Sequence, residues 1–86
     1  MMDEAIRALT ELTYNRLSKE RANAAYMWRH TGESVYYESK WGKCVDDMQK
    51  LKGSANAEGY KFVEEDTWKK EGRLQYAVYK LVPLAQ

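Results

Sequence analysis

Lys52-Gly53-Ser54-Ala55-Asn56-Ala57-Glu58-Gly59-Tyr60 contains the point at which the chain changes its periodicity, and the fold class turns on it. Upstream, Tyr37, Trp41, Cys44, Met48 and Leu51 follow one another at steps of four, three, four and three, the spacing of one helix face. Downstream, Tyr60 to Lys69 and Arg73 to Val82 are rich in aromatic and β-branched residues and read as extended chain. The small polar run between them reads as a linker, with Gly53 as the helix stop. The expected class is α+β: an antiparallel two-helix hairpin, then a C-terminal β-hairpin, in a single domain covering 1–86.

Residues 3–31 read as a long first helix. Asp3 is placed to cap it, and Glu4 sits in the first turn, where the helix dipole favours acids. Its apolar stripe is Met2, Ile6, Leu9, Thr13, Leu17, Ala24 and Met27. Arg29 and His30 suit the last turn, and Gly32 suits the left-handed position beyond it. Asn15, Ser18 and Glu20 interrupt the pattern, so two shorter helices meeting near 15–18 are the alternative. Residues 34–52 form the shorter second helix, turned back by Gly32-Glu33. The first helix then overhangs the second by about ten residues, or ~15 Å. Either the hairpin or a second copy of the chain has to cover that overhang. Gly42, inside the second helix, suggests close approach of another helix beside Trp41.

In the hairpin, strands 60–69 and 73–82 flank Lys70-Glu71-Gly72, with Gly72 expected at positive φ. Pairing symmetric about that turn sets Trp68 opposite Leu74, Glu64 opposite Val78 and Tyr60 opposite Val82. One face then carries Tyr60, Phe62, Trp68, Leu74, Tyr76, Val78 and Val82 and packs on the helices. The other carries Val63, Tyr79 and Leu81, partly exposed to solvent.

Fourteen Lys+Arg against thirteen Asp+Glu give a net charge of +1, without the basic excess of a dedicated nucleic-acid binder. No stretch approaches the roughly 18 apolar residues of a membrane span, and the acidic start is unlike a signal peptide. The one cysteine, Cys44, has no internal disulfide partner, so a reducing, cytoplasmic setting is expected. Seven Tyr, three Trp and one Phe against a single Pro oppose disorder and suit an interface.

Catalytic and metal chemistry have little to work with. Cys44 and His30 are the only strong nucleophile or ligand types, and their spacing on two helices places them ~15 Å apart along the axis. Cys44 falls in step with Trp41 and Met48 and reads as a buried thiol. Glu64 and Asp66 share a strand face, a pattern more suited to solvating a strand than to holding a cation. No phosphate-binding loop or nucleophile elbow is present. No catalytic, cofactor-binding or metal-binding residue is therefore assigned, and no enzyme is expected.

The leading expectation is a protein-binding module, a homodimer acting as an inhibitor, adaptor or assembly factor. Its contact residues are Trp28, Tyr36 and Trp41 together with Val63, Tyr79 and Leu81, since aromatic anchors dominate interfaces. Size and composition suit an accessory protein of a phage or mobile element. The alternative is nucleic-acid binding. If the first helix breaks near residue 18, the order helix, helix, helix, hairpin resembles a winged-helix domain. That resemblance implies a recognition helix at 34–52 with Lys40, Lys43, Lys50 and Lys52, and phosphate contacts from Lys69, Lys70 and Arg73 at the hairpin tip. Glu38, Asp46 and Asp47 on that helix depart from the pattern.

Overall fold

A computed structural model describes residues 2–85; Met1 and Gln86, the two ends of the expected domain, lie outside the described residues. The chain is α+β: helix α1 (Glu4–His30), helix α2 (Ser34–Ala57), and strands β1 (Tyr60–Glu64), β2 (Lys69–Glu71), β3 (Leu74–Tyr76) and β4 (Tyr79–Pro83), which together form one long, interrupted hairpin. The helices run antiparallel, since Trp41 lies beside Ala25 and Trp28, Met48 packs on Leu17, and Ala55 shares a cluster with Met2.

Helix α1 is continuous through residues 15–18, so the three-helix order required for a winged-helix arrangement is absent. Asp3 caps it as expected, its carboxylate accepting the Ile6 N–H at 2.9 Å. The helix ends differently from expectation. Thr31 leaves it in an extended conformation, and its hydroxyl and N–H both donate to the Met27 carbonyl. Gly32 is not at positive φ.

Helix α2 passes through Gly53 and stops at Ala57, with Gly59 at φ +89° turning the chain into β1. The helix outruns the expected stop at Gly53 because Ala55 and Ala57 are strong helix formers and Ala55 is fully buried against Tyr60 and Leu81. At 27 and 24 residues the helices are nearly matched, so the ten-residue overhang is gone, and with it the length argument for a second copy. No atom beyond the backbone of its own helix lies within 4 Å of where a Cβ on Gly42 would sit, so no other helix approaches it closely.

The hairpin departs most from the symmetric pairing. Gly72 is at φ +60° and Glu71 pairs with Leu74, which leaves a two-residue Gly72-Arg73 loop of the type II′ pattern. In β1–β4 the partners are Phe62 with Leu81 and Glu64 with Tyr79; in β2–β3 they are Lys69 with Tyr76. Four residues, 65–68, therefore oppose two, Ala77 and Val78. This is a bulge with a two-residue excess, crossed by the Glu65 N–H bond to the Val78 carbonyl at 2.8 Å. A one-residue slip exchanges the faces of a strand. Leu81 is accordingly buried against Ala55 and Tyr60, and Tyr79 turns inward. Trp68, expected inside, is 46% exposed.

The core is aromatic and thin. Tyr14 of α1 stacks on Phe62 with centroids 3.7 Å apart and meets Tyr79 edge to face at 5.0 Å, while Leu17, Met48 and Leu51 close the cluster. Beside it, α1 serves the hairpin's outer edge. Alternate residues of the second arm direct their backbone groups away from the first arm. Those groups meet α1 side chains. Asn15 donates to the Tyr79 carbonyl at 2.9 Å and accepts the Tyr79 N–H at 2.7 Å. Ser18 donates to the Ala77 carbonyl at 2.7 Å, and Arg7 to the Leu81 carbonyl at 3.2 Å while lying over the Tyr60 ring. This docking also turns α1: Tyr14 and Ser18 are buried, whereas Ile6 and Leu9 of the expected stripe are exposed.

Asn15→Ala removes both partners of Tyr79 and leaves two backbone groups unsatisfied, so it is expected to lower unfolding free energy by about 2–3 kcal/mol in urea titration. A loss under about 0.5 kcal/mol contradicts the edge-capping role. Gly42→Ala, with open space around it in a helix interior, is expected to raise stability by roughly 1 kcal/mol in the same measurement.

Candidate binding groove between the hairpin tip and the helices

The hairpin lies along α1 only as far as its tip, which is latched at one point. Glu71 receives the Lys19 ammonium at 2.5 Å on one oxygen and the Tyr76 hydroxyl at 3.1 Å on the other. The Lys19 hydrogen bond, then that of Tyr76, holds the Glu71 carboxyl below its ordinary range, and the same bond raises Lys19. Beyond this latch the hairpin flanks the C-terminal half of α1 on one side only.

A groove of about 430 Å³ opens there. Its floor is α1, where Ala22 and Ala25 are short enough to leave room. Trp41 of α2 stands on one side, and Trp68, Arg73, Leu74 and Gln75 of the hairpin stand on the other. Arg21, Arg29, Tyr26 and His30 complete the lining. The His30 ring stacks face to face on Tyr26 with centroids 4.2 Å apart, and its Nδ1 is 2.9 Å from the Tyr26 carbonyl oxygen, so the two rings hold each other in place. A second depression of about 410 Å³, lined by Ala25, Trp28, Arg29 and Trp41, continues the first across Trp41. Trp41 and Trp68 thus border the groove and Trp28 the adjoining depression, each well exposed. The Trp68 indole N–H donates to the Glu64 carboxylate at 3.0 Å across the bulge, which holds its ring at the rim.

Among the described residues no Asp or Glu lines the groove, and Arg21, Arg29 and Arg73 have neither an ion-pair nor a hydrogen-bond partner. Three of the five arginines in the sequence meet at this one place, and no lysine joins them. The near-neutral total conceals this segregation.

Of the residues expected to bind a partner, the structure brings Trp28 and Trp41 together here. Tyr36 is exposed at the start of α2, edge to face with Tyr37, and lines neither depression. Val63 is exposed on the outer face of the hairpin, apart from the groove. Tyr79 and Leu81 are withdrawn as contact residues, because the register slip commits them to the core. Of the residues proposed for nucleic acid, Arg73 lines the groove; Lys40 borders a separate depression beside Glu20, and Lys43, Lys50, Lys69 and Lys70 are exposed outside it. Trp68, Arg21 and Arg29 were not singled out from sequence. The two α1 arginines fall eight residues apart, a spacing that places both near one helix face, and this was the available signal.

Cys44 is buried between the helices, and burial pushes its thiol up, while His30 is exposed at the far end of α1. Among the described residues no group of three or more His, Cys, Asp or Glu is placed to hold a metal ion, and no helix is long and apolar enough to cross a membrane. Comparison with known protein families, with curated proteins and with solved structures finds no match for this chain.

The latch depends on pH in a definite direction. A carboxyl lowered in the folded state stabilises above its unfolded value and loses that contribution as pH falls through its folded value. The protection factors of the amides at the tip pair Glu71 and Leu74, taken against the intrinsic rate at each pH, are therefore expected to fall on acidification before those in β1–β4 do. Lys19→Ala is expected to move that loss to higher pH; no movement means Lys19 does not hold Glu71.

Proposed function

We propose that this protein is a binding module, not an enzyme, and that it captures a segment of another protein in the tryptophan-bordered groove. The observation that carries this reading is that Trp41 and Trp68 border one groove and Trp28 the depression adjoining it, where each keeps large apolar area in contact with water. A thin core has use for such rings, and Tyr14, Phe62 and Tyr79 are placed in it. The tryptophans are spent on the rim instead. Half-exposed tryptophans flanked by arginine are the composition of interface hot spots, because burying them on association removes much apolar area at small entropic cost. The groove rests on one helix and is walled by a second helix and a latched hairpin tip, so little ordering is required on binding. Inhibition, adaptor activity and assembly all follow from such capture, and a cytoplasmic setting suits the free Cys44.

A second reading, single-stranded nucleic acid, is favoured by one observation: Arg73 shares the groove with stacking rings. One experiment separates the two. A photo-crosslinking phenylalanine analogue replaces Gln75 in the groove or, as control, the exposed Gln49 of α2, in cells of the native host. Discrete protein adducts are expected from position 75, few from 49, and a several-fold reduction with Trp41→Ala. Equal adducts from both positions, or adducts removed by nuclease, contradict the proposal.

A further inference from the structure

We infer that the segment taken by the groove is acidic, and that its carboxylates are read by Arg21, Arg29 and Arg73 while an apolar side chain beside them is held between Trp41 and Trp68. This rests on the binding reading above and adds the chemistry of the occupant. Charge complementarity carries it: three guanidinium groups without partners share a groove that no described carboxylate lines. Left to water, such a cluster repels itself, and an anionic occupant relieves that repulsion. The choice of arginine narrows the ligand further. The chain has nine lysines, yet none lines this groove. Guanidinium presents a planar fork that matches a carboxylate with two parallel hydrogen bonds and lies flat on aromatic rings, which an ammonium does not.

The surroundings favour a short acidic segment over a long polyanion. Carboxylates begin as soon as the groove ends. Glu65 and Asp66 line the neighbouring hollow on the other side of Trp68, and Glu71 occupies the tip. Glu33 and Glu38 lie exposed near the turn between the helices. A nucleic-acid strand continuing past the groove meets these acids within a few phosphates, whereas affinity for nucleic acid grows with the number of phosphates neutralised along a track. A peptide carries its charges over a short span and can present apolar or basic residues to the flanks.

The full chain is titrated with three probes at low and moderate salt, with tryptophan emission as the signal because every tryptophan borders the groove or the depression adjoining it: a short peptide alternating glutamate and phenylalanine, the same peptide with glutamine for glutamate, and a short oligothymidylate. The acidic peptide is expected to bind with a Kd between micromolar and millimolar. Arg29→Ala and Arg73→Ala are each expected to weaken it about tenfold, the scale of a lost charged hydrogen bond. Arg73→Lys is expected to restore only part of that loss, and Lys43→Ala, outside the groove, to change nothing. Equal binding of the glutamine peptide, abolished by Trp41→Ala, overturns the acidic specificity and leaves the binding module standing. Tighter binding of oligothymidylate through the same arginines overturns both. No change in emission with any probe up to about 1 mM overturns the inference outright.

Discussion

The pairing of Asn15 with Tyr79 is the constraint on which the rest of the arrangement depends. A two-stranded hairpin has two open edges and is marginal on its own in water. Here one edge is closed by a helix. The Asn15 amide answers both the N–H and the carbonyl of one strand residue, as a neighbouring strand would, and Ser18 and Arg7 take carbonyls two residues to either side. These bonds fix how far the hairpin slides along α1 and which way it faces. Its sliding position sets where the tip ends, and the tip supplies one wall of the groove. Tertiary hydrogen bonds near the middle of the molecule thereby determine the width of a surface feature a few turns away.

Much of this was legible in the sequence, and the parts that were not share a cause. The two helices, the Asp3 cap, the turn glycine Gly72 and the core role of Cys44, Met48 and Leu17 follow from local periodicity and local chemistry, which act over a few residues. Gly53 does not end α2, because the burial of Ala55, which only the distant Tyr60 and Leu81 make favourable, outweighs one glycine. Asn15 and Ser18 looked like weak points in a helix. They are polar because the hairpin's backbone, some sixty residues on, needs them. The hairpin register is asymmetric. The surplus at 65–68 is invisible in composition, and it exchanges the fates of Trp68 and Leu81. Half of the candidate site followed it: Trp28 and Trp41 were foreseen by their exposure on helices, and Trp68 was hidden by the slip.

Net charge proved a poor guide to surface character. A total of +1 is what remains after acids and bases are distributed, and it carries no information about where they lie. Arginine gathers in the groove, while acids ring its margins. The basic surface is confined, and acids lie on more than one side of it.

The two ends of the described chain come together far from the groove. Met2 packs in the cluster of Ala55, Tyr60 and Leu81, and the Leu84 N–H bonds to the Gly59 carbonyl, so both ends lie where α1 starts and α2 stops. The groove sits by the opposite turn of the helices. An attachment made at either end, whether a fused neighbour, a flexible tether or a solid support, leaves the concavity facing outward. Linking several copies in series would present several grooves at once, with avidity set by the connecting segments.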